Sequence, residues 1–307
     1  MMGSSTGRRG SSAARLTRFA SSRGALLTML AAGLAGSCST EGPFLKRTGD
    51  FELSFELHGR QREVQVHLPA GYTGADPTPL LFALHGGGGS GSQMRQTRQL
   101  DPAADELGFI VAYPDGVLGW AYAGSDLEQQ GVDDVAFVAE LIERLDNLLV
   151  VDPDRIYVTG FSNGGFMAQT LACRLSSSFA GAAPVAATVP HDIAGECRVG
   201  GRISILMVNG TRDQSVPYDG DPSRGLLSVD ESIRIWAARN RCDSTPNVSS
   251  VVTDSVSGFA ARREAYPDCA AGVETVLYAL EDVGHQWPTT FFPTSVMIGE
   301  FLLRHHR

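Results

Sequence analysis

The segment at 155–172 constrains the fold of this chain more than any other part of it. Residues 155–159 (RIYVT) are typical of a strand, and residues 166–172 (FMAQTLA) are typical of a helix. Between them lies a G-x-S-x-G pattern, Gly160-Phe161-Ser162-Asn163-Gly164. Small residues on both sides of the serine let strand and helix approach closely at a sharp turn, which exposes the serine Oγ beside the positive end of the helix dipole. The pattern predicts a strand–turn–helix unit with Ser162 as a candidate nucleophile, against the alternative of a glycine-rich turn with an incidental serine.

Short hydrophobic segments elsewhere predict the rest of a sheet. Residues 51–57 and 63–68 alternate at period two around a turn, which predicts an antiparallel hairpin. The buried-type strands that follow are 80–84, 109–112, 156–158, 203–208 and 273–278. A hairpin followed by alternating strands and helices predicts an α/β fold, with a mostly parallel central sheet and helices on both faces.

Helical patterns separate most of these strands. The clearest has apolar residues at three- and four-residue spacing from Val138 to Leu148, after an N-cap at Asp133-Asp134. The last helix is expected over 294–304. No repeat or linker divides residues 51–307, which predicts a single domain.

Polar residues follow four of the predicted strands, at the edge where an open α/β sheet places its binding sites. Ser162 is one, Asp213 follows the strand at 203–208, and His285 follows the last strand. The order serine, aspartate, histidine suits a nucleophile, an acid and a base. His285 would accept the Ser162 proton and Asp213 would orient the imidazole. The third strand is followed by His85-Gly86-Gly87-Gly88-Gly89, a candidate donor loop.

Each role has a competitor or an alternative. His191, in a predicted loop, is the main rival base, and Asp282 is a rival acid that lies uncomfortably close to His285 in sequence. The backbone N–H of Asn163 and one from Gly87 or Gly88 are the expected oxyanion donors. The glycine run lacks the lysine-serine ending of a phosphate-binding P-loop, and His85 is expected to anchor that run. Trp120 and Trp287 are the candidate pocket residues, core packing being the alternative.

The first 38 residues have the features of an export signal. Five arginines precede an uncharged run at 25–36, and Leu34-Ala35-Gly36-Ser37-Cys38 resembles a bacterial lipobox. We therefore expect a signal peptide over 1–38, lipidation at Cys38 and a polar tether over 39–50. Ordinary cleaved export and a signal anchor are the alternatives. The expected location is extracellular or in the cell envelope.

Composition limits the partners. Five of the 25 basic residues and none of the 34 acidic ones precede Cys38, so the remainder carries a net charge of −14. That charge argues against nucleic acid and anionic membrane surfaces as partners. No Cys/His spacing indicates zinc. Four further cysteines in an exported chain predict two disulfides; of three possible connectivities we favour nearest neighbours, Cys173–Cys197 and Cys242–Cys269.

Taken together, the motifs resemble the secreted esterase family of polyhydroxybutyrate depolymerase-like proteins and feruloyl esterases. The resemblance covers nearly all of the chain after the signal segment. It rests on residues 79–90, 113–116, 131–137, 160–165, 209–218 and 284–288. It implies an α/β-hydrolase fold, ester hydrolysis without a cofactor, and export, with catalytic roles for Ser162, Asp213 and His285. Cysteines near the four named above also occur in similar members.

The expected function is that of a serine carboxylesterase. Its substrates would be small-molecule or polymer-borne esters with feruloyl, acetyl or short hydroxyalkanoate acyl groups, cleaved through an acyl-enzyme. A serine peptidase on the same scaffold and a non-catalytic surface lipoprotein are the alternatives. The segment between Trp120 and Asp133 and the region after Pro288 are short, so the substrate is the weakest inference from the resemblance. The oligomeric state is not indicated.

Overall fold

A computed structural model describes residues 49–254, 259–270 and 272–307. These residues belong to one compact unit that spans Gly42–Arg307. The predicted signal peptide, its lipobox-like end at Cys38 and the tether up to residue 48 lie outside the described residues. In the described part of the chain, no helix has the length and apolar character needed to cross a membrane.

A ten-stranded sheet organises the described residues, in the order β1-β2-β4-β3-β5-β6-β7-β10-β9-β8. The strands are β1 (Gly49–Leu57), β2 (Arg60–Leu68), β3 (Thr78–Leu84), β4 (Ile110–Pro114), β5 (Val151–Phe161), β6 (Gly181–Val185), β7 (Ser204–Gly210), β8 (Asn247–Asp254), β9 (Phe259–Ala265) and β10 (Thr275–Leu280). The centre from β4 to β10 is parallel, and both edges are antiparallel. This is an α/β-hydrolase fold with an N-terminal antiparallel hairpin, as the sequence predicted.

The described residues include eight α-helices, seven of which lie between strands and the last of which follows β10. They are α1 (Gly91–Arg98), α2 (Leu100–Leu107), α3 (Asp126–Gln129), α4 (Asp134–Leu148), α5 (Asn163–Arg174), α6 (Ala194–Cys197), α7 (Val229–Arg239) and α8 (Thr294–Leu302). Helix α4 begins as predicted, because the Asp133 side chain accepts a hydrogen bond from the Ala136 N–H. Helix α8 also begins at the predicted residue and ends two residues early.

The core divides between the two faces of the sheet because alternate residues of a strand point to opposite sides. In β3, Leu80 and Phe82 pack with residues of α4, α5 and α7, whereas Leu81 and Ala83 pack with residues of α1, α2 and α8. All four side chains are completely or almost completely buried. Because both faces of the sheet are covered, a site can form only where the strands end. The loops described below follow the carboxyl ends of the parallel strands.

Three features differ from the sequence prediction. Strand β1 begins at Gly49, so the last two residues of the predicted tether belong to the sheet. Strand β6, with the sequence GAAPV, was missed because its small side chains and proline have low strand propensity. The β8–β9 extension of the far edge was missed as well.

Two disulfides join Cys173 to Cys197 and Cys242 to Cys269. The first ties the last turn of α5 to α6, and the second ties the loop after α7 to the connection between β9 and β10. This is the nearest-neighbour arrangement, and it fastens two loops around the parallel centre.

Candidate active site

The carboxyl ends of the parallel strands bring the predicted polar residues together. Ser162 follows β5, Asp213 follows β7, His285 follows β10, and the glycine run after His85 follows β3. Because these strands are parallel and close in the sheet, their carboxyl ends meet at one edge. The four loops therefore face a common site.

Ser162 occupies a sharp turn between β5 and α5. Its φ of 53° and ψ of −115° are unusual for a residue with a side chain. The turn depends on its glycines, since a Cβ on Gly160 would collide with the carbonyl oxygen of Gly164, and one on Gly164 would collide with the carbonyl oxygens of Leu84 and His85. Close contact between strand and helix thus holds the serine in its strained conformation.

Ser162, His285 and Asp213 form a continuous hydrogen-bonded chain. The Ser162 Oγ lies 2.8 Å from His285 Nε2, and His285 Nδ1 lies 2.6 Å from Asp213 Oδ2. The second carboxylate oxygen of Asp213 accepts hydrogen bonds from the N–H groups of Ser215 and Val216, both at 2.8 Å. The Asp213 side chain is 2% exposed and that of His285 is 21% exposed, so the acid is sealed while the base remains accessible. Such a chain can move a proton from the serine to the imidazole and stabilise the resulting imidazolium.

Both rival residues have exposed side chains and other partners. The His191 side chain is 67% exposed and its Nδ1 lies 3.3 Å from the carboxylate of its neighbour Asp192. The Asp282 side chain is 73% exposed and forms an ion pair with Arg212 at 2.8 Å. Neither residue takes part in the hydrogen-bonded chain around Ser162.

The glycine run makes a tight turn next to the start of α5. The Gly89 N–H donates to the Gly86 carbonyl oxygen at 3.0 Å, and Gly88 has a φ of +68°, as the third residue of a type II turn requires. Gly87 is close to Asn163, because a Cβ on Gly87 would lie 3.6 Å from the Asn163 Cβ. Of the two predicted glycine donors, Gly87 is therefore the one beside Asn163.

His85 holds this loop in place. Its Nδ1 donates to the Gly86 carbonyl oxygen at 2.8 Å, and its Nε2 accepts a hydrogen bond from the Gly116 N–H at 3.0 Å. Burial lowers the pKa of His85, because the charged form loses its hydration. The imidazole is neutral, and it connects the loop after β3 to the loop after β4.

Both tryptophans that the sequence suggested as pocket residues are buried, with internal partners for their N–H groups. Trp120 is fully buried, and its Nε1 donates to the His85 carbonyl oxygen at 2.9 Å. Trp287 is 3% exposed, and its Nε1 donates to Ser295 Oγ at 3.0 Å. An indole ring can be completely buried when its N–H has an internal hydrogen-bond acceptor, and this is the case for both rings.

Sequence reasoning missed an aromatic pair near the start of α5. The rings of Tyr122 and Phe166 stack with centroids 5.1 Å apart. Phe166 lies one turn after Ser162 on α5, and both rings pack beside Val216. Val216 belongs to the loop after β7 that carries Asp213, which we call the acid loop. They line a small cleft of about 160 Å³ with His191, Arg224 and Leu226. We call this the Tyr122 cleft; its only sequence signal was an aromatic residue in the loop after β4.

A second aromatic contact involves His285 itself. The Phe161 ring packs against the His285 ring with centroids 4.9 Å apart. The guanidinium of Arg98, the last residue of α1, lies 4.6 Å from the Phe161 ring centroid. The residue before the nucleophile thus limits rotation of the histidine.

One group of described side chains has the composition of a metal site, away from these loops. Ligand atoms of Asp50, His67 and Asp101 lie within 4.8 Å of one another. The Arg95 guanidinium forms ion pairs with both carboxylates, at 2.6 Å from its Nε to Asp101. The cluster is explained as an ion-pair network that attaches the N-terminal hairpin to α1 and α2.

The fold and the arrangement of the loops define an α/β-hydrolase. The chain belongs to the esterase family described as "Putative esterase", whose family model matches residues 56–232. It is a carboxylic ester hydrolase.

Individual proteins show the same relationship. "Putative esterase NocK" of Nocardia uniformis subsp. tsuyamanensis is 31% identical over 252 residues, which cover 76% of this chain and 73% of that protein. "Feruloyl esterase B" of Piromyces equi is 32% identical over 238 residues, covering 73% of this chain but only 42% of the longer relative. In structure, an acetyl xylan esterase from Aspergillus awamori matches with a TM-score of 0.62 at 16% identity, over 83% of this chain and 99% of that one. At that identity the structural match shows the fold alone.

Proposed function

We propose that the protein is a serine carboxylesterase in which Ser162, His285 and Asp213 are the catalytic residues. The observation that carries the proposal is the continuous hydrogen-bonded chain from Ser162 Oγ through His285 to the buried Asp213. In the first step Ser162 Oγ attacks the acyl carbon and its proton passes to His285 Nε2. Asp213 keeps the imidazole oriented and stabilises its positive charge.

The negative charge that develops on the acyl oxygen needs donors. The backbone N–H of Asn163, the first residue of α5, is one, and the N–H of the adjacent Gly87 is the other. His285 then gives its proton to the departing alcohol, which leaves an acyl group on Ser162. A water molecule attacks this acyl-enzyme with His285 again acting as base, and the free acid departs.

The Tyr122 cleft is the proposed acyl pocket. It begins one helical turn from the nucleophile and reaches the acid loop through Val216. A cavity of about 160 Å³ suits a small acyl group or one flat aromatic ring. We therefore propose acetyl, short hydroxyalkanoate or feruloyl esters as substrates; feruloyl and acetylxylan esterases are among the related proteins.

We further propose that the enzyme is exported. The arginine-rich start and the uncharged run at 25–36 support cleavage between Ser37 and Cys38, which leaves Cys38 as the lipid-bearing N-terminus and 39–48 as the tether. Two disulfides fit an oxidising compartment. Mass spectrometry of the mature N-terminus from the native host tests this: a lipid mass on Cys38 supports anchoring, and an unmodified start elsewhere contradicts it.

A substrate panel tests the esterase proposal. The wild-type protein is assayed with p-nitrophenyl esters of increasing acyl length, methyl ferulate and a peptide anilide. Ester turnover with labelling of Ser162 by a fluorophosphonate is expected. Hydrolysis of the anilide at a rate similar to that of the esters would make the protein a peptidase, and labelling of another residue would contradict the nucleophile assignment.

A further inference from the structure

The arginine at the end of α1 lacks the carboxylate partner that similar arginines have. Four arginines of the described residues lie over phenylalanine rings: Arg62 over Phe137, Arg98 over Phe161, Arg144 over Phe55 and Arg304 over Phe301. Arg62, Arg144 and Arg304 each form an ion pair with a carboxylate, at 2.7, 2.7 and 3.3 Å. Arg98 is half-buried, yet it has no such partner within the described part of the chain.

The polar atoms of the Arg98 side chain are also left without an acceptor. Its Nε is buried and has no hydrogen-bond partner among the residues that the structure describes. Burial lowers the pKa of Arg98, and no neighbouring carboxylate raises it again. The guanidinium nevertheless stays charged at neutral pH. A half-buried cation without a counter-charge costs free energy, and an anion bound from outside the chain would recover that cost.

The position of Arg98 relates such an anion to one half of the substrate. The guanidinium carbon lies 4.6 Å from the Phe161 centroid, which lies 4.9 Å from the His285 centroid, so the cation is at most about 9.5 Å from the base. His285 gives its proton to the leaving alcohol, so the alcohol lies on the side of the base. The acyl half is assigned to the Tyr122 cleft. An anionic group bound at Arg98 therefore belongs to the alcohol half.

Charge and shape indicate which anion. The chain from Cys38 onward carries a net charge of −14, so anions are repelled except where a local cation attracts them. One arginine balances one negative charge, which suits a carboxylate better than a phosphate group with its charge of nearly two. The planar guanidinium can also donate two parallel N–H bonds to the two oxygens of a carboxylate.

We propose that Arg98 is a specificity-determining residue that binds a carboxylate on the alcohol half of the substrate. The preferred leaving group is then a hydroxy acid rather than a neutral alcohol. The hydroxyl oxygen of this group takes its proton from His285, while its carboxylate stays paired with Arg98. This inference rests on the proposed function, because it takes His285 as the group that protonates the leaving alcohol.

The test compares two esters that share an acyl group and differ by one charge. The acyl group is acetyl or feruloyl, whichever the wild-type enzyme cleaves faster as the methyl ester. The alcohols are 4-hydroxybutanoate and 4-hydroxybutanamide, which have the same chain length but only the first of which is charged. For each variant the ratio of kcat/KM for the carboxylate ester to kcat/KM for the amide ester is measured. A loss common to both esters, such as one caused by a less well held Phe161, cancels in this ratio.

Arg98→Gln is expected to lower the ratio about tenfold, mainly through a higher KM for the carboxylate ester, since the charged hydrogen-bond donor is removed. Arg98→Lys keeps the charge but loses the planar fork, and should lower the ratio about threefold. The lysine variant retains a cation beside Phe161, so it keeps the test valid if Arg98→Gln does not fold.

Arg144→Gln is the matched control. Arg144 is also a half-buried arginine over a phenylalanine ring, but it is paired with Glu140 and lies beside β1, at the edge of the sheet. Its ratio should equal that of the wild type.

The outcomes separate the two proposals. A ratio equal to that of the wild type in both Arg98 variants overturns the subsite, because Arg98 would then only support Phe161. A wild-type enzyme that cleaves the amide ester but not the carboxylate ester overturns it as well. A wild-type enzyme that cleaves none of the esters, the methyl ester included, overturns the proposed function itself before any variant is compared.

Discussion

The side chain of Asn163 accepts a hydrogen bond from the backbone N–H of Trp120, with 2.7 Å between Oδ1 and N. Asn163 is the first residue of α5, and Trp120 lies in the loop after β4. This hydrogen bond holds Asn163 in place, and the backbone N–H of Asn163 is one of the proposed oxyanion donors. It also satisfies a backbone group of a fully buried residue.

Replacing Asn163 with alanine is therefore expected to impair both catalysis and stability. The backbone donor remains but is less well held, and kcat should fall about tenfold with little change in KM. The buried Trp120 N–H loses its partner, which should lower the free energy of unfolding by about 1–3 kcal/mol. Kinetics with p-nitrophenyl acetate and denaturant unfolding measure the two effects. Asn147→Ala, at the exposed end of α4, is the control, and an Asn163→Ala enzyme with wild-type kcat would contradict the proposed role.

Ser162 is expected to be essential for activity and costly for stability. Ser162→Ala should lower kcat by at least about 10³-fold, since the three residues act as a unit. Its backbone conformation is strained for a residue with a Cβ, so Ser162→Gly should be equally inactive but more stable than Ser162→Ala by about 1 kcal/mol after the entropic cost of glycine. That difference corresponds to a rise in Tm of about 2–4 °C. Activity within tenfold of wild type in either variant would contradict the nucleophile assignment.

The acid assignment can be tested with a pair of isosteric changes. Asp213→Asn should lower kcat by several orders of magnitude, because an amide at this position favours the wrong histidine tautomer. Asp282→Asn removes one member of an exposed ion pair and should retain activity within about tenfold. Initial rates and thermal melts of both purified variants give the comparison. If Asp282→Asn is the more damaging change, Asp213 is not the acid.

The sequence predicted the parts of the site that depend on strand ends. Ser162, Asp213 and His285 each follow a short hydrophobic strand, and parallel strands bring such positions together whatever the rest of the fold does. The turn at Ser162 could be predicted from its glycines. A side chain at Gly160 or Gly164 would collide with backbone carbonyl groups nearby in the fold. The rivals His191 and Asp282 were left open because sequence does not report exposure.

The sequence could not predict which aromatic side chains are buried and which contact one another. Trp120 and Trp287 resemble pocket residues by position, but internal acceptors for their N–H groups allow complete burial. Tyr122 looked like any loop aromatic until the structure stacked it on Phe166.

The two disulfides are expected to contribute to stability separately. They close segments of 24 and 27 residues, and restriction of the unfolded chain by a loop of this size is worth about 3.5 kcal/mol in the chain-entropy account. The double replacement Cys173→Ser/Cys197→Ser should therefore lower the free energy of unfolding by about 3 kcal/mol in guanidinium titrations. The corresponding change at Cys242 and Cys269 serves as comparison. Peptide mapping without reductant should recover the two pairs, and crossed peptides or free thiols at all four positions would contradict the arrangement.

The pH dependence of stability should report two buried histidines whose pKa values are lowered by burial. Burial lowers the pKa of His85 and of His305 below the ordinary value of 6.5. As the pH falls through about 6.5, the unfolded chain therefore takes up protons before the folded protein does, which favours unfolding. The free energy of unfolding should decrease from pH 6.5 downward until the folded-state pKa values are reached, and these two groups should contribute no pH dependence well above 6.5.

Replacing His85 with glutamine separates its share of this dependence from that of His305. At pH 8 the variant should be less stable than wild type by about 1–3 kcal/mol, because Gly86 and Gly116 lose their partners on His85. Between pH 6.5 and 5.0, however, its stability should fall less steeply than that of wild type, by up to one proton in the slope. Denaturant unfolding at pH 5.0, 5.5, 6.5 and 8.0 measures both effects, with His306→Gln as the control at an exposed histidine. A His85→Gln slope equal to that of wild type would mean that His85 takes up a proton over the same pH range in the folded and the unfolded protein. The imidazole would then lose the Gly116 hydrogen bond that joins the two loops within that range.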